Sequence, residues 1–256
     1  MQASETAEQV VRLGYGRLVA YLAARWHDLA AAEDAVGEAL QAALESWPST
    51  GVPRKPEAWL LTVARRRLID QSRREQSRGR GLETLRLITE EADDEPESFF
   101  PDERLKLLFV CAHPAIDAAV HTPLMLQTVL GLDTARIASA FLIAPSAMSQ
   151  RLVRAKAKIR DAGIAFEVPG KDELAPRLDA VLAALYVAYG AGWEDIAAAG
   201  PLRPDLVDEV VALARLMVEL LPGEPEPRGL LALMLYCEAR RQARRTSDGA
   251  FVPLSA

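Results

Sequence analysis

Apolar residues recur along this chain at intervals of three and four, the spacing that lays one stripe down a helix. In a first block, from about Thr6 to Trp47, they fall at Val10, Leu13, Leu18 and Leu22, and again at Val36, Leu40 and Leu44. Strand signals are scarce, because β-branched residues do not alternate with polar ones and no Asn-Gly or Asp-Gly pair joins two apolar runs. The segment WPSTGVPRKP, Trp47 to Pro56, holds three prolines and a glycine and predicts a loop. Helical spacing resumes in PEAWLLTVARRRLIDQSRRE, Pro56 to Glu75, with Trp59, Leu60, Val63, Ala64 and Leu68 on one stripe. Residues 1–75 are therefore expected to form one small helical domain.

Residues 76–103 break the pattern with QSRGRG and EEADDEPESFFPDE, and read as an acidic linker with little to bury besides Phe99 and Phe100. A second helical block runs from about Glu103 to Ala162. A third runs from Leu174 to Arg245, broken at AAGPLRPD and at LPGEPEP, so that Leu206–Leu221 and Leu230–Arg241 pair like a helical hairpin. The fold expected is all-α: two small helical domains, 1–75 and 104–165, joined by the linker, and a C-terminal extension, 166–256, resembling helical-hairpin repeats.

Charge alters this picture. The net charge of −6 argues against a nucleic-acid partner only if charge is evenly spread. It is not: Arg54 to Arg80 carries nine basic residues and three acidic ones, Arg151 to Arg160 carries five basic residues and no acid, and Glu83 to Glu103 carries nine carboxylates and one arginine. Two phosphate-facing surfaces separated by acidic chain would look like this. The polar start MQASETAEQ has no signal-peptide pattern and no apolar run is long enough to span a bilayer, so a soluble, cytoplasmic protein is expected. Cys111 and Cys237 lack disulfide or CxxC spacing. Cys111, His113 and His121 lie close in sequence without the second ligand pair that a structural zinc needs, so packing is the reading and no metal or cofactor is implied. There is no phosphate loop, GxSxG or HExxH, which points away from an enzyme.

The second basic block sits in DTARIASAFLIAPSAMSQRLVRAKAKIRD, Asp133 to Asp161. A helix with Ile137, Ala138 and Phe141 inward meets a break at Ala144-Pro145, and a second helix follows with Met148, Leu152 and Ile159 inward. That is the outline of a helix-turn-helix. Its second helix leaves Ser146, Ser149, Gln150, Arg151, Arg154, Lys156 and Lys158 outward, small and amide side chains first and cations after, as a base-reading helix with phosphate contacts would. A hairpin with a solvated charged face fits the same pattern.

The stretches AEDAVGEAL (Ala32 to Leu40), PEAWLLTVARRRLIDQSRR (Pro56 to Arg74) and SQRLVRAKAKIRD (Ser149 to Asp161), in this order over residues 10 to 165, resemble bacterial extracytoplasmic-function (group IV) sigma factors of RNA polymerase. FVCAHPA and AKIRDAGIAFEVP resemble a subgroup with a helical C-terminal extension. The resemblance implies two partners, core RNA polymerase and promoter DNA. It places Asp34, Glu38 and Leu40 against the polymerase clamp, and Arg65, Arg66, Arg67, Arg73 and Arg74 on promoter phosphates. It makes Ser46 to Lys55 a reader of the minus-ten element, with Trp47 its only aromatic, and sets the Ser146–Lys158 helix in the minus-thirty-five major groove. Leu105 to Leu130 would offer an apolar surface to the polymerase flap, and the linker would thread the polymerase channels or remain solvated. The extension would pack on the sigma core or bind a regulatory protein.

Two other readings stay open. A stand-alone helix-turn-helix regulator needs only the second domain and leaves the arginine-rich helix unexplained. A helical protein-binding scaffold explains the extension and leaves both basic helices unexplained.

Overall fold

A computed structural model describes residues 2–77, 102–197, 204–241 and 252. The described residues are helical with no strand. The first helix, α1 (Gln2–Trp26), turns through His27, whose φ of 53° is left-handed, into α2 (Leu29–Thr50), capped by Asp28 accepting from the Ala31 N–H at 3.0 Å. The third, α3 (Pro56–Ser77), starts on proline, whose missing N–H costs nothing at a first helical position.

The loop expected from Trp47 is shorter than predicted, because α2 continues through Pro48 to Thr50. One turn from a helix end, proline removes a single ladder bond. The Ser49 and Thr50 hydroxyls donate back to the Ser46 carbonyl at 2.9 Å each, and burial of Trp47 to 2% exposure draws that turn into the core. Gly51, at φ 82°, ends the helix, leaving Gly51 to Lys55 as the connection.

The second block comprises α4 (Arg104–Cys111), α5 (Ala118–Thr128), α6 (Thr134–Ala140) and α7 (Pro145–Asp161), and the extension comprises α8 (Lys171–Ala197), α9 (Pro204–Leu220) and α10 (Pro225–Arg241). Residues 76 and 77 close α3 and 102 and 103 precede α4; the expected linker between them lies outside the described residues. Both α9 and α10 begin on prolines that the sequence reading had placed in breaks, again at the first helical position. Within α8, Asp172–Ala191 is long and apolar enough to cross a bilayer, but Leu178, Val181, Leu185 and Ala188 are buried at helical spacing in the protein core. It is a core helix by that pattern.

One apolar core runs through all three blocks. Helix α1 packs on α2, α3, α4 and α5; α2 packs on α7; α9 packs on α4 and reaches α1. At the α1–α5 seam Gly16 meets the Val129 carbonyl so closely that a Cβ there would lie 1.9 Å from its oxygen. Residues Leu105 and Leu107 to Cys111 are buried in this core, as are Val120 and Leu124 to Leu126, so the apolar surface expected for a polymerase flap is covered in this arrangement.

Candidate nucleic-acid and polymerase interface

Helix α3 sets its arginines in three environments. Arg66, Arg67, Arg73 and Arg74 are exposed. Arg65 is half-buried: its guanidinium donates to the Tyr21 hydroxyl and lies 5.4 Å from that ring's centroid. Tyr21 is fully buried, so Arg65 is bound into the fold. Arg67 Nε pairs with Glu38 Oε2 at 3.2 Å, with both side chains half exposed. A cavity of about 350 Å³ between α2 and α3 is lined by Asp34, Glu38, Arg67, Asp70, Gln71 and Arg74. Residues the resemblance assigns to polymerase and residues it assigns to DNA thus share one groove.

On α2 the exposed positions Asp34, Gly37, Glu38, Gln41, Leu44 and Glu45 form one stripe. Leu40 is half-buried and packs on the core, whereas Leu44, expected inward, is 49% exposed. The apolar residue beside Asp34 and Glu38 on the outer face is therefore Leu44. The spacing contained that signal, since 34, 37, 38, 41 and 44 repeat at three and four as regularly as the buried stripe does. In the connection, Val52, Arg54 and Lys55 are exposed, while Trp47 stacks edge-on against Trp59 with centroids 5.5 Å apart. Trp47 is a packing residue here, and so is the half-buried Trp59.

Helix α6, the turn Phe141 to Ala144 and helix α7 hold together through Ile137, Ala138, Met148, Leu152 and Ile159, all buried as the apolar spacing predicts. Leu142 in the turn takes φ 53°, a costly conformation for a leucine, and is 95% exposed. Ser146, Ser149, Gln150, Arg154 and Lys158 are exposed and Arg151 is partly so. Arg151, Arg154 and Lys158 also line a cavity of about 540 Å³ against residues 115–120, with Asp117 in its wall.

Lys156 departs from the expectation. Instead of facing outward, it pairs with Glu33 of α2, Nζ to Oε2 2.5 Å, with the two side chains 12% and 10% exposed. The reason is its register: it lies four residues after Leu152 and three before Ile159, on the buried stripe. Burial pushes the Glu33 carboxyl above the usual carboxylate range, against the pull of Lys156 and of the Tyr15 hydroxyl that donates to it, while Asp34 adds to the rise. Burial first, and then Glu33, raise the Tyr15 phenol. Arg160, one turn on, reaches Asp28 at 3.7 Å. Sequence reasoning missed Tyr15, Asp28 and Glu33, whose partners lie more than a hundred residues away or in another helix.

Cys111 and the two nearby histidines do not converge. Cys111 Sγ lies 3.6 Å from the Thr128 hydroxyl, with burial pushing the thiol up to about 12, and His121 Nε2 lies 3.0 Å from the Ile116 carbonyl.

Comparison with known proteins places these elements. A family model described as Sigma-70 region 2 matches residues 11–78, the segment that forms most of α1 and all of α2 and α3. The chain carries a sigma-70 region 2 domain. Residues 177–256 match a family described as a family of unknown function (DUF6596), so region 2 at one end and this helical region at the other agree with the resemblance to extracytoplasmic-function-like sigma factors with a helical extension. An uncharacterized protein of Rhizobium meliloti (strain 1021) is 41% identical over 236 residues, 90% of this chain and 56% of the relative, so the chain spans a little over half of that relative's length. No solved structure matches the chain.

Proposed function

We propose that the protein is a sigma factor that binds core RNA polymerase and directs promoter-specific initiation. The observation carrying this is the set of exposed arginines, Arg66, Arg67, Arg73 and Arg74, on the last helix of a region 2 domain whose neighbouring helix presents Asp34, Glu38 and Leu44. Carboxylates around an apolar residue suit a basic coiled-coil partner, and on this reading that partner lies beside the DNA path, because Glu38 and Arg67 line one groove. The four arginines neutralise promoter phosphates. Arg65 serves by holding α3 to α1 through Tyr21.

Helix α7 is the duplex reader. Ser146, Ser149 and Gln150 lie at its start, where base edges are met, and Arg151, Arg154 and Lys158 follow along the phosphates; a guanidinium such as that of Arg151 or Arg154 can also contact guanine bidentately. Lys156 and Leu40 drop out of the contact set proposed from sequence. No cofactor and no catalytic residue enters this reading, and its setting is the cytoplasm, where sigma factors act.

The test is reconstitution of the purified chain with sigma-free core polymerase, followed by transcription from genomic fragments. Co-elution with core and new specific start sites support the proposal. Duplex binding without core binding transfers the protein to stand-alone regulators, and binding to neither leaves the helical scaffold.

A further inference from the structure

We propose that the outer face of helix α10 is a self-association surface, through which two copies of this chain pair antiparallel about a two-fold axis at Leu233. The inference goes beyond the sigma-factor reading and does not depend on it.

Helix α10 is buried along one side only. Met234 is fully buried, Leu230, Leu231 and Cys237 pack on the core, and the Tyr189 hydroxyl of α8 lies 3.1 Å from the Met234 carbonyl and 2.9 Å from a Glu238 carboxylate oxygen. A helix whose other side meets only water is polar there. This one carries Glu226, Gly229, Leu233, Tyr236 and Arg240, all exposed and spaced by three and four, which sets them on one stripe. Leu233 is 47% exposed and Tyr236 58%. An aliphatic and an aromatic residue at the middle of a stripe with charged ends have the composition of an interface, an apolar centre inside a polar rim.

The order of residues along the stripe selects the occupant. Glu226 and Arg240 each lie seven residues from Leu233, which is about 10.5 Å along the helix at 1.5 Å per residue. Where two copies cross antiparallel at Leu233, each Glu226 stands opposite the partner's Arg240, so the same ion pair forms twice. Tyr236 then lies near the partner's Gly229, a position where an added Cβ meets nothing within 4 Å and the phenol ring has room. Parallel pairing would instead set glutamate on glutamate and arginine on arginine, a like-charge contact at both ends. The stripe is therefore complementary to its own reverse. Both charges are available for this contact: among the described residues neither Glu226 nor Arg240 makes an ion pair, and the Arg240 guanidinium lies 4.3 Å from the centroid of the Tyr236 ring, which keeps it on the stripe.

The 17 residues of α10 extend about 25 Å. A single helix pair of that length falls at the low end of specific interfaces, at about 1,200 Å² or less. Association is accordingly reversible and set by concentration, and the dilute chain is a monomer.

The experiment is sedimentation equilibrium on the full chain, with circular dichroism to verify that each variant keeps its helix content. Wild type is expected to pass from monomer to dimer between about 1 and 100 µM. Leu233→Asp sets two carboxylates face to face on the axis and is expected to weaken association by about tenfold or more. Glu226→Arg and Arg240→Glu, each alone, are expected to stay monomeric over that range, because like charges then meet at both ends of a homodimer. Mixed in equal amounts they are expected to form a one-to-one heterodimer, with an affinity within about threefold of wild type, since every arginine again faces a glutamate. Wild type that is monomeric at 100 µM overturns the proposal. So does a dimer that Leu233→Asp leaves intact, which puts the contact on another face. A dimer that either charge variant leaves unweakened, or loss of association that mixing the two variants does not restore, overturns the pairing of Glu226 with Arg240.

Discussion

Gly16→Ala tests the tightest seam in the molecule. An added Cβ would stand 1.9 Å from the Val129 carbonyl oxygen and 2.9 Å from its carbon, where ordinary contact begins near 3.4 Å. The obstructing atoms are backbone, so no side chain can swing aside, and α1 must part from the end of α5 by about 1.5 Å. Alanine in place of a helical glycine is otherwise favourable by about 1 kcal/mol. Overpacking of a close seam costs about 1–3 kcal/mol, which less the propensity gain leaves about 0–2 kcal/mol, and parting the helices also loosens the adjacent Glu33–Lys156 pair, so a net loss is expected. Gly37→Ala on α2 supplies the control, because its Cβ meets nothing within 4 Å. The propensity gain there is unopposed, and at this chain length about 1 kcal/mol is worth roughly 2–4 °C in Tm. Thermal unfolding followed by circular dichroism should thus move in opposite directions for the same chemical change in two helices. A Tm for Gly16→Ala at or above wild type, with unchanged scattering, would refute the seam.

Three further predictions concern charge. Glu209→Ala leaves the buried Arg104 with one partner in place of two and should cost about 3 kcal/mol in denaturant unfolding, whereas Glu209→Gln keeps a hydrogen-bond acceptor and should cost less. Replacing Arg66 and Arg73 by alanine should leave Tm unchanged and lower the salt slope of promoter binding by about 2, while Arg65→Ala should lower Tm because its guanidinium binds Tyr21; an unchanged Arg65→Ala Tm would remove that role. The folded-state carboxyl of Glu33 sits above its unfolded value of about 4.3, so the native state holds that proton more tightly. Its contribution is fully present below about 4.3 and is lost as pH rises through the raised folded value; unfolding free energy against pH should show that downward slope in wild type and not in Glu33→Gln, with Lys156, Tyr15 and Asp34 as the groups facing it.

The helices, and the arginines on α3, were legible because local spacing and charge set them. Trp59, Leu60 and Leu68 against Arg66 and Arg73 is a decision made within one helix. Pro48 misled because proline breaks a helix interior but is tolerated in a last turn, and what held that turn was Trp47 reaching a core the sequence does not draw. Lys156 was legible by register and obscured by residue type: position 156 belongs to the stripe of Met148, Leu152 and Ile159, but a lysine is buried only with a partner, and Glu33 lies 123 residues earlier. Leu44 failed in the opposite way, an apolar residue on a regular outer stripe. The resemblance left the packing of the modules open, since a linker of that composition is compatible with modules apart or together.

The internal pairing of charge also bears on how an acidic protein can present itself to DNA. Glu33 neutralises Lys156 within the fold and Glu209 with Asp102 neutralises Arg104, whereas Arg67 and Arg160 pair with Glu38 and Asp28 while staying half exposed. Arg66, Arg73, Arg154 and Lys158 stay on the surface. The field that a phosphate backbone meets is therefore set by local clusters on α3 and α7 and not by the net charge of −6.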